Sequence, residues 1–88
     1  MKRIRKSTHR FDHELDLHGY TSYEAELLLE EEVIVHCDST ILVIHGFGEG
    51  VLRRTVRSFA AKNKNVKSFC SGEEFGLPGG AGTTILYT

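Results

Sequence analysis

Cysteine is scarce in this chain: Cys37 and Cys70 are the only two in 88 residues, and no CxxC spacing joins them. That excludes a disulfide-built scaffold, and both residues read as small buried hydrophobes in a reducing cytoplasm. Proline occurs once, and with 40% hydrophobic and 26% charged residues the composition excludes a disordered or fibrous chain. No apolar run approaches the roughly 20 residues that cross a bilayer. Met1 leads into Lys2, Arg3, Arg5 and Lys6 with no apolar stretch behind them, so a secretory signal is excluded as well. A length of 88 residues leaves room for one domain.

What is present is a segregation of charge. The formal net charge is -1, yet residues 1–13 hold Lys2, Arg3, Arg5, Lys6 and Arg10 against Asp12 alone. Residues 14–39 hold eight acids and neither Lys nor Arg. Residues 49–67 are basic again, with Arg53, Arg54, Arg57, Lys62, Lys64 and Lys67 against Glu49. This split predicts one side that faces a polyanion and another that is acidic.

Periodicity divides the chain into a basic arm or linker tail over 1–13 and a domain over 14–88. Glu14-Leu15-Asp16-Leu17-His18 alternates as a half-covered strand and stops at Gly19. Thr21-Ser22-Tyr23-Glu24 has the capping-box form, and Ala25, Leu28, Leu29 and Glu32 or Val33 mark the stripe of a helix reaching about His36. Thr40 to His45 is a continuous aliphatic run, the pattern of a central strand buried on both faces. Beyond Gly46-Phe47-Gly48-Glu49-Gly50, a second helix to about Asn63 buries Leu52, Val56, Phe59 and Ala60 and turns a basic side outward. Val66–Cys70 and Thr83–Thr88 read as strands. The order βαβαββ, with right-handed crossovers, predicts an α/β two-layer sandwich: a mixed four-stranded sheet with two helices on one face.

Each of the first two strands ends in His-Gly, at His18-Gly19 and His45-Gly46, and each is followed by a helix. Ligands of open α/β sheets collect beyond the carboxyl ends of parallel strands, where helix N-termini offer free N–H groups. Asp16, two residues before His18, shares its strand face and is placed to orient the imidazole as a general base; a satisfied strand-end cluster, with Asp16 bonded to a turn amide, is the alternative. Gly46, Gly48 and Gly50 let backbone amides approach an anion, or simply make a tight turn. Arg53 and Arg54 stand in the first helical turn, where the dipole disfavours cations and a phosphate would offset that cost. Gly79-Gly80-Ala81-Gly82 fits a phosphate loop or a plain turn. Tyr20 and Phe47, directly after the two His-Gly pairs, are candidates for base stacking. His9 and His13 lie in the arm and receive no role.

Leu15-Asp16-Leu17-His18-Gly19, then His45 to Arg53, then Gly79 to Ile85 closely resemble the LDLHG, HGxGxGxLR and GGxGxT motifs of the small MutS-related (Smr) domain, over residues 15–88. The resemblance implies a sandwich similar to the C-terminal domain of translation initiation factor 3 and, broadly, to the nuclease domain of pancreatic deoxyribonuclease. It also implies nucleic-acid binding, with nicking of DNA or cleavage of RNA. Carried over motif by motif, Asp16, His18 and His45 are the catalytic candidates. Gly19, Gly46, Gly48, Gly50, Arg53, Arg54, Gly80 and Gly82 are the nucleic-acid-binding candidates. The chain departs from the family at the variable positions of HGxGxG, one of which is often Lys or Arg but which are Phe47 and Glu49 here, and at Thr88, where Leu is usual. Such domains often close a MutS2-type MutS paralogue that limits recombination, so the ATPase domains of a longer chain and the ribosome join DNA and RNA as expected partners.

The expected function is therefore a nucleic-acid endonuclease. No cofactor is built in, since no dense carboxylate cluster supports a two-metal mechanism, and Mg2+ or Mn2+ would only assist. The rival expectation is a non-catalytic docking module held by the basic arm and Arg53, Arg54 and Arg57.

Overall fold

A computed structural model describes residues 11–46, 50–74, 76 and 80–88. Its elements are β1 (His13–Asp16), α1 (Ser22–Val35), β2 (Thr40–Ile44), α2 (Val51–Lys62), β3 (Ser68–Ser71) and β4 (Thr83–Tyr87), with a 3-10 turn at Gly80–Gly82 just before β4. The sheet order is β1-β2-β4-β3; β1 and β2 are parallel, and β4 runs antiparallel to both of its neighbours. This is the expected mixed four-stranded sheet.

Alternation along the strands decides which residues meet the helices. Ile41 and Val43 of β2 and Leu86 of β4 form one buried cluster with Ala25, Leu29 and Val33 of α1 and with Val56 and Ala60 of α2. Both helices therefore cover the same sheet face, with Leu28, Leu52 and Phe59 packed at the margin of the cluster. β2 and β4 are central and have three consecutive buried residues each, because a strand flanked on both edges buries both faces.

The helix ends follow local chemistry. Thr21 caps α1: its side chain accepts from the Glu24 N–H at 3.2 Å, while Glu24 Oε1 accepts from the Thr21 N–H at 3.0 Å. α2 instead opens on Gly50, whose φ of 84° lies in the left-handed region and whose lack of a side chain leaves the first turn uncapped by any side chain.

Several strand boundaries differ from expectation, among them three with a clear local cause. β1 begins at His13, one residue early, because Asp12 and Thr40 bond reciprocally at the strand mouth: the Asp12 N–H donates to Thr40 O at 3.0 Å and the Thr40 N–H donates to Asp12 Oδ2 at 2.9 Å. His13 then stacks on His36, with ring centroids 3.5 Å apart. β3 starts at Ser68, since Val66 leaves the chain direction of the strand to enter the core from the turn. Thr88 lies past β4, where its hydroxyl donates to His36 O at 2.6 Å and accepts from the Ser39 N–H at 3.1 Å.

Candidate functional site

Strand order alone gathers the site. The carboxyl ends of parallel β1 and β2 lie side by side, with Asp16 level with Ile44. β4 runs the other way, so Thr83 at its start is also level with Ile44. The Gly80–Gly82 turn thus arrives at the same end, where the His45 and Gly46 N–H groups both donate to Gly82 O at 2.9 Å. α2 starts just beyond, after Gly50. Of the predicted site residues, Asp16, His18, Gly19, His45, Gly46, Gly50, Arg53, Arg54, Gly80 and Gly82 all belong to these converging segments. Gly48, with Phe47, Gly79 and the basic arm over 1–10, lies outside the described residues.

At β1 the strand ends at Asp16, and Asp16 Oδ1 accepts from the backbone N–H of His18 at 3.0 Å. The chain has turned by then, with the Tyr20 N–H donating to Leu17 O at 3.0 Å. The carboxylate therefore fixes the backbone that carries His18, in the manner of an Asx turn, and not the imidazole. That corrects the expected pairing of Asp16 with the His18 ring and realises the turn-amide alternative. The His18 side chain is exposed, and among the described residues its ring makes no hydrogen bond. Tyr20, 45% exposed, stands next to it beyond Gly19.

His45 is the opposite case. It is 5% exposed, with Nδ1 3.0 Å from Gly46 O and Nε2 2.9 Å from Thr84 Oγ1. A carbonyl can only accept, so Nδ1 carries the proton and the neutral Nε2 accepts from the Thr84 hydroxyl. Burial lowers the pKa of His45 below 6.5; the bond to Gly46 O opposes this, and the positive charges of Arg57 and Arg53 add to the lowering. Both ring nitrogens are thus bonded within the protein, Nδ1 to Gly46 O and Nε2 to Thr84 Oγ1.

The 3-10 turn is closely packed as well. Gly80 and Gly82 are buried. A Cβ on Gly80 would stand 2.6 Å from Gly72 C and from Glu73 N, and Gly82 supplies the carbonyl that joins β2 to β4.

The anion-attracting part is the start of α2. A Cβ on Gly50 would stand 3.4 Å from Arg53 Nη2 and 3.5 Å from Arg54 Nη1, so both guanidinium groups fold back over the opening turn. No acid lies in that turn, and among the described residues neither arginine is ion-paired. Free N–H groups, the positive end of the dipole and two guanidinium forks are thereby aimed at one place. Two residues were not assigned to the catalytic site from the sequence. Thr84, the Thr of the GGxGxT motif, is fully buried and bonds a histidine 39 positions away. Arg57, expected from the sequence only as a docking residue, is close enough to act on His45.

Among the described residues no three His, Cys, Asp or Glu side chains are grouped to hold a metal ion, and no helix is long and apolar enough to cross a membrane.

Comparison with known proteins adds the relatives. The family model of the Smr domain matches residues 15–88. Endonuclease MutS2 of Clostridium acetobutylicum is 38% identical over 76 residues, covering 82% of this chain and 9% of that protein. Ribosome rescue factor SmrB of Shewanella sp. (strain ANA-3) is 33% identical over 72 residues, covering 78% of this chain and 41% of that protein. The chain thus spans less than half the length of these curated relatives. Among solved structures, the crystal structure of the Smr domain of Thermus thermophilus MutS2 matches with a TM-score of 0.69 at 30% identity, covering 84% of this chain and 94% of that one.

Proposed function

The chain belongs to the Smr domain family, and on that premise we propose that it is a nucleic-acid endonuclease module, which cleaves RNA or nicks DNA at the end of the sheet where His18 and the start of α2 come together. The observation that carries this reading is the contrast between the two histidines: His45 is buried and bonded at both nitrogens, whereas His18 is exposed on a backbone fixed by Asp16, with no hydrogen bond to its ring among the described residues. A general base must reach the proton it takes, and of these two histidines His18 is the one placed to do so.

In this reading the phosphodiester sits against the first turn of α2, held by its N–H groups and by Arg53 and Arg54, and Tyr20 stacks on a flanking base. His18 accepts the proton of an RNA 2′-hydroxyl as that oxygen attacks phosphorus. The bond to the 5′-oxygen breaks, that oxygen takes a proton from solvent water, and the products are a 2′,3′-cyclic phosphate and a 5′-hydroxyl end. On DNA the same ring takes its proton from water. Asp16 and His45 act through the backbone, the first by setting the turn at His18 and the second by holding Gly46. Mg2+ or Mn2+, carried by the phosphate, would supply further positive charge there while Arg53 and Arg54 hold the phosphodiester. The names of the relatives, an endonuclease and a ribosome rescue factor, support nucleic acid or the ribosome as partner. Because the chain spans only part of each, ATPase or other domains of a longer protein would deliver it to its substrate.

The test is to incubate the protein with labelled supercoiled DNA and with single-stranded RNA, each with and without Mg2+ or Mn2+. Cleavage of either substrate, absent from His18→Ala, is the expected result. Tight binding of both substrates with no cleavage under any condition would instead make the chain a docking module.

A further inference from the structure

Helix α1 carries two apolar faces. Ala25, Leu29 and Val33 are buried against the sheet. Tyr23, Leu27 and Ile34 are 72%, 51% and 68% exposed. With 3.6 residues per turn, the last three fall within about 40° of one another, on the side away from the first three. A solvated helix face has no need of such a stripe, and α2 shows the ordinary alternative, with Arg54, Ser58 and Lys62 outward.

The stripe has depth as well as area. Tyr23 and Leu27 meet Phe59 of α2 across a cleft of about 300 Å³, bordered by Glu26 and Glu30 on α1 and by Lys62 on α2. Glu26, Glu30 and Glu31 flank the stripe, and among the described residues none of them is ion-paired. α1 contains neither Lys nor Arg. We propose that this face of α1 docks a lysine- and arginine-rich amphipathic helical segment of a partner protein. The partner's apolar anchors enter the Tyr23–Leu27–Phe59 cleft and its cations pair with the three glutamates. Charge decides among occupants. A polyanion such as nucleic acid is repelled, and two copies meeting through α1 would bring the same three carboxylates together.

The test uses a fluorescein-labelled 18-residue peptide with leucines at i, i+3, i+4 spacing and lysines elsewhere, alongside one with each lysine replaced by glutamate and one with each leucine replaced by serine. The expected result is saturable binding of the first peptide alone, with NMR shift changes centred on Tyr23, Leu27 and Ile34. Affinity should fall about tenfold in Leu27→Ser and in the Glu26→Lys, Glu30→Lys pair, and stay within twofold in Arg54→Ala. Circular dichroism melts confirm that these exposed changes leave the fold intact. Shift changes elsewhere, or affinity indifferent to both sets of α1 variants, would overturn the proposal. So would a dimer in sedimentation that Leu27→Ser dissolves, since a second copy would then be the occupant.

Discussion

His45 Nε2 lies 2.9 Å from Thr84 Oγ1, a contact that ties the end of β2 to β4 inside the protein. Thr84 is fully buried, so deleting its hydroxyl leaves the ring nitrogen without a donor. Thr84→Val should cost about 1–3 kcal/mol. At roughly 4–8 °C per kcal/mol for a domain of this size, a thermal melt reads that directly. A melt unchanged in Thr84→Val would show that the contact carries no stability.

The same histidine sets an acid limit on stability. Its pKa in the fold is lowered from 6.5 by burial, so the unfolded chain binds this proton more readily than the folded one. The contribution is fully present above about pH 6.5 and declines as pH falls from there toward the lowered value. Urea titrations from pH 7.5 to 5 should show the midpoint falling with acid in the wild type, and falling less in His45→Gln. Equal slopes in the two proteins would contradict the assignment.

Gly80 offers a separation of structure from binding. An added Cβ would meet the Gly72 carbonyl carbon at 2.6 Å, too close to be absorbed without backbone movement. Gly80→Ala should therefore destabilise by about 1–3 kcal/mol, measured by denaturant titration. A variant that keeps its stability and loses nucleic-acid affinity would return Gly80 to the binding surface.

Arg53 and Arg57, one helical turn apart, both act on His45 from the same side of α2. If each contacts a phosphate, Arg53→Ala and Arg57→Ala should each reduce the slope of log affinity against log salt by about 0.7–0.9. Fluorescence anisotropy across a salt series gives that slope. An Arg57→Ala slope equal to wild type would confine the phosphate contact to the first turn of α2.

Much of this was legible in the sequence, because much of it is local. The capping box at Thr21 and Glu24, the α2 stripe through Val56 and Ala60, and the central position of β2 all follow from spacing within a few residues. The convergence of the two His-Gly ends followed from strand direction. What spacing could not supply was the partner of each side chain. Alternation puts Asp16 and His18 on one strand face only if the strand continues, but it ends at Asp16, whose carboxylate then takes the nearest turn amide. His45 and His18 each follow an aliphatic residue and precede a glycine, and what separates the buried ring from the exposed one is the distant Thr84 and the depth of β2. β3 shifted for a similar reason: Val66 is apolar because it enters the core, not because it pairs in the sheet.

The central claim is that His18 is the base, and the most direct measurement compares cleavage and binding in the same His18→Ala preparation, at one salt concentration, on the substrate that the wild type cuts. The account predicts a loss of cleavage of about 10²–10⁴-fold with affinity within twofold of wild type. Cleavage retained by His18→Ala would contradict it and place the chemistry on another group.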